Sequence, residues 1–173
     1  MESKELKNII PIQSIWEDLD LLEDRLIEIS SSSDPYLTEI SQYLISAGGK
    51  RFRPLIALLA GKLGEGDNKK VIDAGVSVEL IHLGSLYHDD VIDDATTRRG
   101  VVSTNKQWNS TLAILAGDYL LARSSELAAE SLGLESVKLL ASTYAQLVEG
   151  QTNEVQFSYD TIHGTEDYMK IIK

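Results

Sequence analysis

The sequence predicts an all-α fold. Apolar residues recur three and four positions apart along most of the 173 residues, and no segment shows sustained alternation of apolar and polar residues. Serine, proline and glycine interrupt this pattern at intervals that suit the ends of helices. With 43% hydrophobic residues the chain can form a substantial core, so we expect a single unit over residues 1–173.

The first two helices are predicted from their boundary residues. Apolar residues at helical spacing cover 12–29, and Ser14 with Glu17 predicts a capping box at the start. Four serines at 30–33 then interrupt the pattern. An aspartate followed by proline opens a second helix, which ends at a pair of glycines and covers residues 34–48.

Five more helices follow from the same signals. Their predicted ranges run from Pro54 to about residue 63, then about 69–93, 110–131 and 134–159, and from about 165 to the end of the chain. The segment 96–103 is predicted to be a loop, because it combines threonine, arginine, glycine and serine without helical spacing.

Composition excludes several classes of function. The formal net charge of −11 argues against general nucleic-acid binding, which requires a basic surface. The absence of cysteine excludes disulfides and thiolate metal sites. The first residues lack the apolar stretch of a signal peptide, and the longest apolar runs are too short to span a bilayer. We therefore expect a cytoplasmic protein without stable membrane insertion.

The most informative segment is the end of the predicted fourth helix, where four aspartates occur within six residues. Asp89 and Asp93 lie one turn apart on the same face, and Asp90 is rotated by about 100°. Negative charge is unfavourable at a helix C-terminus, so a cation is expected there. Mg²⁺ prefers oxygen ligands and completes its shell with water and substrate phosphates. The segment therefore suggests magnesium that holds a diphosphate.

Two basic clusters provide a counterpart for such a diphosphate. Lys50, Arg51 and Arg53 lie between the second and third helices, and Arg98 with Arg99 directly follows the aspartates. The planar guanidinium fork suits a diphosphate, and lysine adds a point charge.

A polar stripe on the fourth helix predicts the wall of a cavity. The stripe consists of Glu79, His82, Ser85, Asp89 and Asp93, which step by three or four residues where a buried helix should be apolar. His82 lies two turns before Asp89, about 10 Å along the axis, where it can contact a second ligand. The alternative, a hydrogen-bonded core histidine, stays open.

These motifs together resemble the N-terminal half of the trans-isoprenyl diphosphate synthases. The matching strings, in order, are Gly49–Pro54, Glu79–His82, Asp89–Asp93 with Arg98–Gly100, Gly117–Leu120 and Gly150–Gln151. The resemblance implies an antiparallel helix bundle of the isoprenoid synthase type. It also implies that residues 1–173 are a truncated, N-terminal part of one synthase domain.

The resemblance implies a transferase that condenses isopentenyl diphosphate with an allylic diphosphate. The implied magnesium ligands, which bridge the allylic diphosphate, are Asp89, Asp93 and, in support, Asp90. Arg98 would contact the same diphosphate. The implied ligands of the isopentenyl diphosphate are Lys50, Arg51, His82 and Arg99. Gln151 is expected to face a diphosphate.

Product length is argued from the size of two side chains. The growing prenyl tail should pass Gly84 and Ser85, about one turn before Asp89. An aromatic residue there would block the channel, whereas both residues are small. We therefore expect a long-chain polyprenyl product.

The family's second aspartate-rich helix has no match in this chain, so we expect little or no transferase activity from it alone. Family members are usually homodimers, and a homo-oligomer is expected here. Apolar residues that the missing part should leave exposed are Leu112, Ile114, Leu115, Leu120 and Leu121. Two alternatives stay open: a His-Asp phosphohydrolase using His88 and Asp89, and a non-catalytic regulatory or prenyl-diphosphate-binding subunit.

Overall fold

The computed structural model describes residues 8–64, 66–157 and 164–172. Its helices are α1 (Gln13–Ser30), α2 (Pro35–Ser46), α3 (Phe52–Gly61), α4 (Asn68–Ile92), α5 (Thr104–Gln107), α6 (Ser110–Leu127), α7 (Leu134–Phe157) and α8 (Thr165–Ile172). A π-helical turn, Ala128–Leu132, extends α6. The prediction of an all-α fold is confirmed, and each long predicted helix is present.

The predicted start of the first helix is partly wrong. α1 begins at Gln13, and no side chain caps it, so Ser14 and Glu17 form no capping box. Glu17 instead accepts a hydrogen bond of 3.3 Å from the Gln13 side chain. The second boundary is as predicted, because the Asp34 side chain accepts a 2.9 Å hydrogen bond from the backbone N–H of Tyr36, the second residue of α2.

The predicted loop at 96–103 contains a hairpin that the sequence pattern does not reveal. Strand β1 (Thr97–Arg98) pairs antiparallel with β2 (Val101–Val102). The two turn residues, Arg99 and Gly100, have φ values of 53° and 81°, as the common two-residue hairpin turn requires. Strands of two residues are too short to show alternation. The short helix α5 was likewise not predicted.

α4 is the central helix of the core and packs against α1, α3 and α6. Its fully buried apolar side chains are Val76, Leu80, Leu83 and Tyr87. The Tyr87 hydroxyl donates a 2.6 Å hydrogen bond to the carbonyl oxygen of Ile40, which joins α4 to α2. α4 is therefore surrounded by other elements along most of its length.

α4 and α6 approach closely where Gly84 faces Gly117. A Cβ at Gly84 would lie 3.0 Å from the Gly117 carbonyl oxygen, and a Cβ at Gly117 would lie 3.1 Å from the Gly84 carbonyl oxygen. A Cβ at Gly117 would also overlap the His88 ring. Glycine at both positions permits this backbone contact. A 2.8 Å hydrogen bond from Ser124 to the Ser77 carbonyl oxygen fixes the same pair of helices.

The rest of α6 is joined to the end of α1. The Tyr119 hydroxyl donates to the Ser31 carbonyl oxygen at 2.6 Å, and the Arg123 side chain donates to the Ile29 carbonyl oxygen at 2.8 Å. The expected exposure of α6 is wrong at Leu120, which is fully buried in the core. Ile114 and Leu115 are exposed as expected, whereas Leu112 and Leu121 are half-buried.

None of the helices in the described part of the chain combines the length and hydropathy that a bilayer crossing requires.

Gly117→Ala should destabilise the fold by about 1–3 kcal/mol, because the added methyl group displaces His88 and widens the α4–α6 contact. Urea denaturation of the wild type and the variant measures the difference. Gly64→Ala is the matched control, because a Cβ at Gly64 would meet nothing within 4 Å. Equal midpoints for G117A and the wild type would contradict the proposed packing role.

Candidate functional site

A cavity of about 730 Å³ lies beside the middle of α1. We call it the basic cavity. It is bounded by α1, the link between α2 and α3, α4 and the hairpin turn. Its lining residues are Trp16, Leu19, Glu23, Ala47, Gly49, Lys50, Arg51, Phe52, Arg53, Glu79, His82 and Arg99. The fold thus brings the first basic cluster and Arg99 of the second to one cavity, whereas Arg98 is not in its lining.

Two further cavities continue along α4. The central cavity, of about 380 Å³, shares Arg53 and His82 with the basic cavity. The α4–α7 cavity, of about 450 Å³, shares four residues with the central cavity. These four are Ser85, Asp89, Leu147 and Gln151. The three cavities therefore adjoin in the order basic, central and α4–α7.

A buried ion cluster forms one wall of the basic cavity. Glu79, whose side chain is 2% exposed, lies with its Oε1 atom 3.3 Å from Arg51 Nη1 and 3.6 Å from Arg99 Nη2. Burial raises the pKa of Glu79, and the charges of Arg51 and Arg99 oppose this shift. Arg51 also pairs with Glu23 of α1 through Nε and Nη2. The buried charges are thus matched by opposite charges, as burial requires.

His82 lies in the wall that separates the basic and central cavities. Burial lowers the pKa of His82 to about 4, and the positive charges of Arg53, Arg99, Arg51 and Arg98 add to this effect. His82 is therefore neutral at pH 7. A neutral imidazole can still donate one hydrogen bond to an anion. Its position in a cavity wall favours the ligand-binding interpretation over that of a core histidine.

Asp89 and Asp93 stand on consecutive turns at the end of α4. The Asp93 backbone N–H donates to the Asp89 carbonyl oxygen at 2.8 Å. Burial raises the pKa of the Asp89 carboxyl, and the charge of Asp93 raises it further. Both carboxylates are hard oxygen donors of the kind that suits Mg²⁺. Asp89 lines the central and α4–α7 cavities, whereas Asp93 is exposed and lines none of the three cavities. The chemistry of the donor pair therefore fits the predicted metal, and the ligand role of both residues stays a prediction.

Asp90 points elsewhere. Its side chain is fully buried, and Arg98 Nη2 and Nε lie 2.6 and 2.7 Å from its Oδ1 atom. The structure thus brings Asp90 and Arg98 together and away from the face of Asp89. The pair anchors the hairpin to the end of α4. The roles expected for Asp90 at the metal and for Arg98 at the allylic diphosphate stay predictions.

Within the described residues, no group of three or more His, Asp or Glu side chains converges closely enough to hold a metal ion. His88 lies 3.2 Å from the Ile114 carbonyl oxygen and 3.4 Å from Asp118 Oδ1, and it is directed at α6. His163 falls outside the described residues. His88 and Asp89 both line the α4–α7 cavity, but the described residues add no third metal-binding side chain to this pair, which the phosphohydrolase alternative requires.

The two residues assigned to product length are placed differently. Ser85 lines both the central and the α4–α7 cavities, and its hydroxyl donates to the His82 carbonyl oxygen at 2.8 Å. Gly84 is buried against α6 and lines none of the three cavities. Gly84 therefore has a packing role, and the assignment of Ser85 to product length stays a prediction. Gln151 lines the same two cavities as Ser85.

Arg53 is the residue whose role was missed in the sequence. It lies in the first turn of α3, is exposed, and lines both the basic and the central cavities. Helical spacing could not relate Arg53 to Lys50, because Lys50 precedes α3 and Arg51 between them is left-handed. The only signal in the sequence was the place of Arg53 within the first basic cluster. Arg51 of the same cluster is instead buried.

A family model described as Polyprenyl synthetase matches residues 34–173, which is most of the chain. The chain belongs to the polyprenyl synthetase family. The resemblance seen in the motifs is thereby confirmed.

Curated members of the polyprenyl synthetase family match most of this chain. A nonaprenyl diphosphate synthase of Mycobacterium tuberculosis is 46% identical over 142 residues, which are 82% of this chain and 42% of that protein. Heptaprenyl diphosphate synthase component 2 of Bacillus subtilis is 35% identical over 157 residues, 91% of this chain and 45% of that protein. The chain therefore spans less than half the length of these two relatives.

A solved structure of the family has the same fold. The crystal structure of a polyprenyl synthase from Caulobacter crescentus, complexed with calcium and isoprenyl diphosphate, superposes with a TM-score of 0.88 at 31% identity. The match covers 92% of this chain and 49% of that one. The prediction of an isoprenoid synthase helix bundle is confirmed.

His82→Gln should reduce the loss of stability in acid. The pKa of His82 is lowered from 6.5 to about 4 in the fold, so the unfolded chain binds this proton first. Stability is therefore lost as the pH falls from 6.5 to about 4. Urea denaturation at pH 7 and pH 5 measures the loss for each protein. Identical losses for wild type and H82Q would contradict the low pKa.

Asp89→Asn should stabilise the metal-free fold. Because the pKa of Asp89 is raised, its carboxylate form is disfavoured in the fold, and stability falls as this group ionises with rising pH. Each kcal/mol gained should raise Tm by about 2–4 °C. Thermal unfolding is measured at pH 7, first in chelator and then in Mg²⁺. In chelator D89N should have a higher Tm than the wild type, and Mg²⁺ should raise the Tm of D89N less than that of the wild type. Asp20→Asn is the exposed control, for which neither change is expected.

Proposed function

We propose that this protein is a prenyltransferase that condenses isopentenyl diphosphate with an allylic diphosphate to give a long-chain polyprenyl diphosphate. The observation that carries the proposal is the junction of the three cavities. A basic cavity adjoins, through His82 and Arg53, a cavity that contains Asp89, and that cavity in turn adjoins one with an apolar wall. The basic cavity would then hold one diphosphate, the cavity with Asp89 the other diphosphate, and the apolar cavity the prenyl tail.

The basic cavity is proposed to bind the diphosphate of isopentenyl diphosphate. Lys50 and Arg53 are exposed at its edge, and His82 and Arg99 lie deeper. Lysine and arginine supply charge and N–H donors, while neutral His82 supplies a directional donor without adding repulsion. The two acids of the wall, Glu23 and Glu79, are paired with arginines and therefore repel the ligand less.

Asp89 and Asp93 are proposed to hold magnesium, with the diphosphate of the allylic substrate completing its shell. Bound there, the metal would stabilise the negative charge that develops on the departing diphosphate. Asp90 would act by holding Arg98, whose side chain stays 30% exposed, beside this site. The charge of Arg98 opposes the rise in the pKa of Asp89, so this guanidinium is close enough to act electrostatically on the proposed metal site.

The α4–α7 cavity is proposed to enclose the prenyl tail. Its apolar side chains are Ile92, Leu147, Val148 and Val155. A wall of this kind binds hydrocarbon and excludes water from a reactive cation. Ser85, where the central and α4–α7 cavities meet, leaves the passage open, which suits a long product.

The proposed reaction needs no protein nucleophile. The bond between C1 and the diphosphate oxygen of the allylic substrate breaks, and the isopentenyl double bond attacks the resulting C1 cation to form a carbon–carbon bond. The released diphosphate then takes the proton lost beside the new bond. The protein contributes by orienting both substrates and stabilising charge.

Isothermal titration with isopentenyl diphosphate, without metal, tests the basic cavity. Lys50→Gln should weaken binding about tenfold, because a charged hydrogen bond is lost. Lys70→Gln is the matched control, since Lys70 is exposed and lines none of the three cavities. Equal affinities for K50Q and K70Q would contradict the proposed diphosphate site.

Ser85→Phe should weaken binding of geranylgeranyl diphosphate about tenfold but leave that of dimethylallyl diphosphate nearly unchanged, because the ring narrows the passage that only the longer tail enters. Titrations in the presence of Mg²⁺ measure both affinities. Ser142→Phe is the control, since exposed Ser142 lines none of the three cavities. Equal losses for the two ligands would contradict the proposed channel.

A second candidate function is a subunit that binds prenyl diphosphates but turns over only in a complex. One observation favours it: a relative that is 35% identical to this chain is named as component 2 of a heptaprenyl diphosphate synthase. Incorporation of labelled isopentenyl diphosphate by a longer version of the chain, matched to the full length of the relatives, separates the candidates. Turnover by the longer version supports the first, whereas diphosphate binding by this chain without turnover by either version supports the second.

We also propose that the protein forms a homodimer. Analytical ultracentrifugation of the purified chain measures the oligomeric state and tests this proposal.

A further inference from the structure

We propose that Arg51 is a positioning residue, and that the buried bridge from Glu23 through Arg51 to Glu79 holds Lys50 and Arg53 in the geometry that binds a diphosphate. This inference deepens the proposed function of the basic cavity and rests on it. It replaces the expectation, implied by the family resemblance, that Arg51 is itself a ligand of the diphosphate.

The hydrogen bonds of Arg51 carry the argument. A guanidinium has five N–H donors. The Nε atom of Arg51 donates to Glu23 Oε1. Its Nη2 atom donates to Glu23 Oε2 at 3.0 Å and to the Ile45 carbonyl oxygen at 3.2 Å. Nη1 donates to Glu79 Oε1 at 3.3 Å and to the Gly48 carbonyl oxygen at 3.4 Å. Five acceptors within the protein therefore match all five donors, and the side chain is only 6% exposed.

These bonds hold a strained link. Gly48 and Arg51 have φ values of 85° and 47°, and the second is unfavourable for a residue with a side chain. The hydrogen bonds from Arg51 to the carbonyl oxygens of Ile45 and Gly48 hold the link between α2 and α3 against the end of α2. Since Arg51 is also the residue that precedes α3, its conformation sets the direction in which Arg53 enters the cavity wall.

Arg99 differs from Arg51 in a way that supports the assignment. Its Nη1 donates to the carbonyl oxygens of Leu44 and Gly48, and its Nη2 approaches Glu79. Among the described residues its Nε has no hydrogen bond, so Arg99 keeps a donor for a ligand. Glu79 thus contacts two arginines: all the N–H donors of Arg51 are hydrogen-bonded within the protein, whereas Arg99 keeps one donor available.

Charge leads to the same conclusion. In the lining of the basic cavity, Glu23 and Glu79 balance the formal charges of Arg51 and Arg99. The positive charge that remains belongs to Lys50 and Arg53. An anion is therefore attracted by these two residues, while the bridge contributes through their placement.

Three variants of the chain test the inference: Arg51→Lys, Glu23→Gln and Asp24→Asn. Hydrogen exchange of the segment 45–54 in the ligand-free protein reports the link, and titration with inorganic pyrophosphate reports the site. Lysine keeps the charge of Arg51 but cannot make five bonds, so R51K should speed exchange and weaken pyrophosphate binding, each about tenfold. Asp24 is exposed and adjacent to Glu23, which makes D24N the matched control for charge.

The sign of the E23Q effect is decisive. Removing a negative charge beside an anion site should strengthen binding if Arg51 is a direct ligand, because Arg51 would be released toward the anion. If Arg51 is a positioning residue, E23Q should instead bind pyrophosphate more weakly and exchange its amide hydrogens faster. The control D24N should leave hydrogen exchange unchanged. Tighter binding by E23Q, or affinity and exchange in R51K equal to those of the wild type, would overturn the inference. If R51K does not fold, E23Q on the partly exposed α1 side chain still decides.

The two proposals fail in different ways. A wild-type chain that does not bind pyrophosphate overturns the proposed function, and the exchange data then show separately whether Arg51 holds the link. Normal binding by the wild type together with unaffected binding by R51K and E23Q overturns only the positioning role.

Discussion

The carboxylate of Glu79, buried in the middle of α4, imposes the constraint on which the site depends. A charge withdrawn from water must be matched, and the matching charges, Arg51 and Arg99, come from two links that lie far apart along the chain. Arg51, in the link between α2 and α3, and Arg99, in the hairpin turn, both have left-handed backbone conformations, which are unfavourable by themselves. The ion cluster therefore brings residues of both basic motifs of the sequence into one cavity wall.

The second constraint is the close contact of α4 with α6. The glycines at 84 and 117 let the two backbones touch, and this contact fixes the rotation of α4 about its axis. With that rotation set, His82, Ser85 and Asp89 face the adjoining cavities, whereas Asp90 faces the core and holds the hairpin. One helix thus supplies residues to all three cavities and to the packing that orients them.

Much of this arrangement is readable from the sequence. Helical spacing and the residues at helix ends predict every long helix, and the aspartates, His82 and the basic clusters identify the side of α4 that forms the site. Local pattern could not separate Arg51 from Arg53, since one is buried and the other exposed only because of partners on α1 and α4. Gly84 was assigned to the channel for its size, but the helix it packs against lies more than thirty residues away, which spacing does not reveal. The hairpin is too short for any periodic signal.

The wall between the basic and central cavities consists in part of His82 and Arg53, which belong to both. Under the proposed function, the two diphosphates would bind on either side of these two side chains. If the first to bind shifts either side chain, then by thermodynamic reciprocity each ligand alters the affinity of the other by the same factor. The two substrates would then form a coupled pair, in which the free energy of interaction between them is set by two side chains.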